Sequence, residues 1–210
     1  MTTRLTDPFI YVQDNVLSEK QCKSIIRRFN KDKRSQQGTT SGGVQTEVKD
    51  SHDLPITEFD DWKDIDNLFF NVVNKLFKDY GQHLIDAGGS FTSFTTGERI
   101  VINPIATGAP IEDIGYQIQK TKSGKGYVWH HDYLTRRLVT FILYLNTVDE
   151  GWTQFYNGDQ VAPVVGRGCL FPATWTYYHQ GYPPKQTKYI MTGWLREQHD
   201  SETIVTKREK

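Results

Sequence analysis

The chain has 210 residues, of which 37% are hydrophobic and 13% aromatic, enough to bury the core of one domain. Lys plus Arg and Asp plus Glu both number 25, and this zero net charge argues against a general nucleic-acid binder, which carries a basic excess. Only Cys22 and Cys169 are present, far apart in apolar patterns, which argues against a disulfide framework and suits buried free thiols. Residues 1–8 lack the apolar core of a secretory signal, and no run approaches the ~18 apolar residues that span a bilayer. The cytoplasm is therefore the expected compartment, with neither a membrane nor a nucleic-acid partner.

Residues 9–16 read as a short extended segment. Ser18 followed by Gln21 forms a capping box, and Cys22, Ile25, Ile26 and Phe29 at helical spacing carry a helix to about residue 29. Residues 30–45 are polar and glycine-rich and read as a surface loop, with a lid over the site as the alternative. A longer helix is expected over 60–84, where Trp62, Ile65, Leu68, Phe69, Val72, Val73, Leu76 and Phe77 form one apolar stripe. Beyond Gly88-Gly89 the pattern changes to short β-branched or alternating runs bounded by Gly, Pro, Asn and Asp. Strands are expected at 99–103, 115–121, 127–132, 138–146, 153–156, 168–171, 176–181 and 188–195. This order predicts a mainly β (α+β) single domain, a double-sheet jelly roll with helices outside it. Its parts are 1–89 as helical support and opening strand, 90–196 as jelly-roll core, and 197–210 as a charged tail.

The string Val128-Trp129-His130-His131-Asp132 lies in a strand pattern. Strand side chains alternate faces, so His130 and Asp132 share one face and can grip one ion together. A lone His-x-Asp is a weak signal; His52-Asp53 and His199-Asp200 show how readily the two types fall together without that spacing. His131 would share its face with Trp129 and Tyr133, neither a carboxylate, so His130 is the better ligand. His179, on a later strand, supplies the expected third ligand. Two histidines and one carboxylate leave coordination positions open, as non-haem Fe(II) requires when it must also take a chelating cosubstrate and dioxygen.

On the last strand, Lys188, Ile190, Thr192 and Trp194 share one face. A buried ammonium is costly unless paired, so this lysine suits an anionic ligand; the alternative is a strand-end lysine reaching back to water. Leu138, Thr140, Ile142 and Tyr144 line one face of another strand, where Tyr144 is either a further hydrogen-bond donor to that anion or an ordinary core tyrosine. Tyr127, Trp129, Tyr133, Trp175, Tyr177 and Trp194 place aromatics near the expected mouth.

Taken together, the strings Gly126-Tyr-Val-Trp-His-His-Asp132, Arg137-Leu-Val-Thr-Phe-Ile-Leu-Tyr-Leu-Asn146, Phe171-Pro-Ala173, His179-Gln-Gly181 and Lys188-Tyr189 resemble the prolyl 4-hydroxylase-like branch of the 2-oxoglutarate/Fe(II) oxygenases, as do Asp7-Pro-Phe9 and Asn15-Val-Leu-Ser18. The resemblance is close over about 114–196. It implies a double-stranded β-helix, iron ligation by His130, Asp132 and His179, and pairing of Lys188, nine residues after His179, with the far carboxylate of 2-oxoglutarate. It places Tyr144 and Thr192 in the cosubstrate pocket and Arg137 and Trp194 around the target ring. Arg137 lies an odd number of positions from Tyr144, on the opposite face of an unbroken strand, so it must sit at a strand end or bulge. Where many relatives read Gly-Gly-Glu-Thr, this chain reads Gly151-Trp152-Thr153, which changes the rim and not the iron site. The implied cofactors are Fe(II), 2-oxoglutarate and O2, with ascorbate as a candidate reductant. The implied reaction hydroxylates a C–H bond, first of all in a peptidyl proline, with release of succinate and CO2. Hydroxylation of another protein residue or a small metabolite is the alternative, and a non-catalytic metal- or ligand-binding jelly roll is the alternative of another class.

Overall fold

The computed structural model describes residues 3–88, 90–101, 110–134 and 136–198. In chain order the elements are β1 (Tyr11–Gln13), α1 (Glu19–Lys31), β2 (Gln36–Gln37), β3 (His52–Pro55), two single 3-10 turns (Ile56–Glu58 and Asp60–Trp62) and α2 (Lys63–Asp86). There follow β4 (Ser90–Thr92), β5 (Arg99–Val101), β6 (Ile111–Thr121), β7 (Tyr127–His130), β8 (Arg137–Tyr144) and β9 (Thr153–Phe155). The last four are β10 (Gln160–Val161), β11 (Gly168–Pro172), β12 (His179–Gly181) and β13 (Lys188–Glu197). The end of the strand expected at 99–103 and nearly all of the charged tail lie outside the described residues.

Two antiparallel sheets face each other. The larger has the order β1-β11-β8-β13-β6-β3-β2 and the smaller β10-β9-β12-β7, while β4 and β5 form a separate pair. This is the jelly roll that the strand spacing predicts. The larger sheet is buried on both faces, and β8 shows why its sequence is apolar almost throughout. Val139, Phe141 and Leu143 pack with Phe29, Phe69, Val73 and Leu76 of the helices, whereas Ile142 and Tyr144 pack with Phe155, Val161 and Phe171 between the sheets. On β13, Tyr189, Met191 and Leu195 join the helix-side core and leave the alternate residues to face inward. Position 193, on the helix side by the same alternation, is glycine because a Cβ there would lie 2.5 Å from the Phe141 ring and from the Gly115 carbonyl.

The capping box on α1 is as expected. Ser18 Oγ accepts the Gln21 N–H at 3.3 Å, and Gln21 Oε1 accepts the Ser18 N–H at 2.9 Å. α2 runs two residues past its expected end, with its stripe buried along Phe69, Val73, Leu76 and Tyr80. The N-terminal third does more than support: β1, β2 and β3 complete the larger sheet at its two edges. β3 escapes sequence reading because His-Asp-Leu-Pro has no alternation; its place comes from pairing with β6, Leu54 opposite Ile118. Residues 36–37 of the stretch read as a loop are its edge partner. Among the described residues no helix is long and apolar enough to cross a membrane.

Candidate functional site

Between the sheets lies a cavity of about 480 Å³. Its floor and one wall are the inward residues of β8 and β13, and the opposite wall is β7 and β12. The expected alternation on β13 is seen directly, since Lys188, Ile190, Thr192 and Trp194 all line it.

β7 and β12 pair so that His130 lies directly opposite His179, and their ring centroids are 4.2 Å apart. β7 ends at His130 rather than at 132, and Asp132 reaches back to the two imidazoles from the segment beyond it. His130 Nε2 is 3.9 Å from Asp132 Oδ1, and His179 Nε2 is 3.7 Å from Asp132 Oδ2. One ligand atom from each residue falls within 4.8 Å of the others, the only such group of three or more metal-ligating side chains among the described residues.

The surroundings prepare both imidazoles for a cation. His130 Nδ1 is 2.8 Å from the Val128 carbonyl and His179 Nδ1 is 3.0 Å from the Tyr177 carbonyl, so each Nδ1–H donates to backbone and each Nε2 lone pair faces Asp132. Burial first, and the neighbouring His179 second, pull the His130 pKa far down, so the ring is neutral and free to ligate. Burial alone would raise Asp132, but the two imidazoles and the Thr140 hydroxyl outweigh it and hold its carboxyl below the usual range. Thr140 Oγ1 donates to Asp132 Oδ2 at 2.7 Å. Two imidazoles and one ionised carboxylate, each oriented by a further hydrogen bond and open to a cavity on one side, fit a non-haem Fe(II) centre.

Parity along β7 is broken by a bulge: three steps from Tyr127 to His130 pair with two from Gly181 to His179. Tyr127 is thereby turned inward, and its ring stacks on His130 at 3.5 Å with 15° between planes. His131 sits exposed at the rim, edge-on to Tyr178.

At the closed end, Lys188 is 5% exposed and donates from Nζ to the Gly151 carbonyl at 2.7 Å. Burial lowers its pKa from 10.5 to about 8. It does not reach back to bulk water. Thr192, also on the cavity wall, gives its hydroxyl to the Phe141 carbonyl at 2.9 Å. Tyr144 lies behind the lining, fully buried, with its hydroxyl 2.6 Å from Thr153 Oγ1; it is Thr153 that faces the cavity.

Arg137 is the first residue of β8, opposite a register shift between Leu195 and Arg196, which satisfies the requirement for a strand end or bulge. Its guanidinium lies 3.7 Å from the Trp194 ring, and both side chains line the cavity. Arg137 Nε is buried without a hydrogen-bond partner, which a ligand with an acceptor oxygen would satisfy. Trp194 Nε1 also closes no hydrogen bond of good geometry, but it lies near enough to the Asp132 carboxylate to help hold its pKa down. Of the aromatics expected at the mouth, Tyr127, Tyr133 and Trp194 line it. The others do not. Trp129 packs outside against Tyr156, Trp175 is 64% exposed, and Tyr177 gives its hydroxyl to Asp7.

Sequence reading missed a polar wall. Lys49 lines the cavity and pairs with Asp53 at 2.6 Å, both buried, beside Gln117, Gln119 and residues 39–41. No periodicity marks Lys49 and Asp53, which meet through the bridge of Lys49 to Tyr127 and the pairing of β3 with β6.

Residues 116–196 match the sequence profile of the 2OG-Fe(II) oxygenase superfamily. No curated protein matches the sequence. Among solved structures, the chain resembles a prolyl hydroxylase from Trichoplax adhaerens in complex with a hypoxia inducible factor oxygen degradation domain peptide fragment, at TM-score 0.69 and 16% identity over 90% of this chain and 84% of that one. It also resembles a Pseudomonas putida prolyl-4-hydroxylase, at TM-score 0.59 and 17% identity over 90% and 93%. The third is a viral collagen prolyl hydroxylase from Paramecium Bursaria Chlorella virus-1 in a 2OG complex, at TM-score 0.57 and 18% identity over 91% and 97%. At these identities the three likenesses establish the fold.

Proposed function

We propose that this chain, whose residues 116–196 match the 2OG-Fe(II) oxygenase profile and whose His130, Asp132 and His179 converge, is a dioxygenase using Fe(II), 2-oxoglutarate and O2 that hydroxylates a peptidyl proline. The observation that carries the reading is one cavity with a ligand triad on one wall, a buried lysine at its closed end and an arginine–tryptophan stack at its open side. His130, Asp132 and His179 would hold the iron, which when bound would supply the oxidising chemistry for converting 2-oxoglutarate to succinate and CO2 and hydroxylating a substrate C–H bond.

The chain's own residues bind and orient. The backbone carbonyls of Val128 and Tyr177 hold the two imidazoles in one tautomer, and Thr140 fixes the carboxylate between them. Lys188 pairs with the far carboxylate of the cosubstrate, and Ile142 and Ile190 keep water from its methylenes. Trp194 offers its face to the target ring, and Arg137 offers N–H donors to a peptide carbonyl beside it. The solved relatives named above are prolyl hydroxylases, one of them bound to a peptide, which supports a peptide as substrate. The polar wall of Lys49, Gln117 and Gln119 favours one second reading, another protein residue or a small polar metabolite.

Purified protein given Fe(II) and 2-oxoglutarate under air, with a panel of proline peptides, should release succinate and add one oxygen to a peptide. Succinate release with no peptide oxidised, and oxidation of a non-proline residue or small polar compound instead, would move the assignment to the second reading. His130→Ala should abolish the turnover. Iron-independent or absent succinate release under every condition would remove the hydroxylase reading.

A further inference from the structure

The turn between β8 and β9 performs a task that its divergent sequence does not announce. Glu150 and Gly151 are consecutive residues in the left-handed region, with φ of 60° and 71°. The loop 182–186 braces them. Glu150 bridges Pro184, Lys185 N–H donates to the Asp149 carbonyl at 2.8 Å, and Tyr182 N–H donates to the Trp152 carbonyl at 2.9 Å. This backbone course turns the Gly151 carbonyl toward the closed end of the cavity, where it accepts from Lys188 Nζ. Space for a side chain is missing, because a Cβ at 151 would lie 2.8 Å from Pro184 Cβ and 3.4 Å from Lys188 Cδ.

We propose that Gly151 is a positioning residue for the cosubstrate: its carbonyl anchors one of the three ammonium donors of Lys188 and aims the other two at the far carboxylate of a dicarboxylic acid. This rests on the reading of Lys188 given above. An ammonium has three donors and no acceptor, and a carboxylate has two oxygens, so one donor fixed to backbone leaves a matched pair. The carbonyl dipole also favours the charged amine in a buried place, without adding a negative group that would compete with the incoming anion.

The test compares 2-oxoglutarate with 2-oxopentanoate, the same chain ending in a methyl group, by calorimetric titration into Fe(II)-loaded protein without O2. Wild type should prefer 2-oxoglutarate. Gly151→Ala, which strains φ and meets Pro184, should weaken 2-oxoglutarate by about tenfold, the worth of one hydrogen bond to a charged group. Its affinities for 2-oxopentanoate and for Fe(II) should stay unchanged, a pattern that general loosening of the fold would not produce. If wild type discriminates and Gly151→Ala keeps the full ratio, the positioning role is overturned while the lysine assignment stands. If wild type itself does not discriminate, the assignment of Lys188 fails, and this inference with it. Should Gly151→Ala not fold, wild type still answers. A slowly exchanging 15Nζ ammonium signal that disappears in Lys188→Arg supports the anchored amine, and its absence at pH 6 overturns it.

Discussion

Lys188 offers the sharpest test, because its burial makes opposite predictions for stability and for binding. Its pKa falls from 10.5 to about 8 with burial as the cause. At about 1.4 kcal/mol per pKa unit, keeping the buried amine charged at pH 7 costs the folded protein roughly 3 kcal/mol. The folded value lies below the unfolded one. The cost is therefore complete below about pH 8, where both states hold the proton. Between there and 10.5 the unfolded state binds the proton more tightly, so wild-type stability rises with pH and the cost is gone above that range. Lys188→Met keeps an apolar stem and removes the charge, leaving the Gly151 carbonyl unpaired at a cost of about 1–2 kcal/mol. The net expectation at pH 7 is a more stable protein by about 1–2 kcal/mol, or roughly 2–8 °C in Tm for a chain of this size. Cosubstrate binding should move the other way. A far carboxylate left without its cation in a closed pocket loses ~3–5 kcal/mol, at least 10²-fold in Kd. Scanning calorimetry at pH 7 and 9.5, with anaerobic titration of 2-oxoglutarate into the Fe(II)-loaded protein, measures both. A lower Tm at pH 7 together with unchanged cosubstrate affinity would refute the reasoning.

Three further outcomes follow from the geometry. Thr140→Val removes the 2.7 Å hydrogen bond to Asp132 and should weaken Fe(II) about tenfold in equilibrium titration, as loss of an orienting partner does elsewhere; an unaltered affinity would show that Asp132 needs no such support. Arg137→Leu, which breaks the stack on Trp194, should raise KM for a peptide substrate while leaving 2-oxoglutarate affinity as it is, so a change in the cosubstrate constant alone would misplace Arg137. Ser18→Ala removes the capping box of α1 and should lower stability by about 1 kcal/mol in urea unfolding, with no effect on Fe(II) binding.

How much of this was legible along the chain depends on the range of the interaction concerned. Period and local chemistry are written in the sequence. Ser18 and Gln21 announce the start of α1, and the α2 stripe reports its buried face because neighbours at i+3 and i+4 meet on any helix. The alternation of Lys188, Ile190, Thr192 and Trp194 reports the inward face of β13 wherever the strand is placed. The His-x-Asp spacing with a distant His was likewise enough to nominate three residues that the fold brings within 4.8 Å.

Pairing between distant segments had to come from the tertiary structure. β3 is a strand because β6 offers it a free edge, not because His-Asp-Leu-Pro favours one. The bulge that turns Tyr127 onto His130 exists only in the register of β7 against β12. Thr153, not Tyr144, lines the cavity because β9, in the opposite sheet, sets its hydroxyl against that of Tyr144, and the Gly151 carbonyl meets Lys188 across 37 residues of chain. Side-chain period is a property of each backbone segment and survives in the sequence. Register and facing are set by which surfaces bury together, and that is decided when the two sheets close on each other.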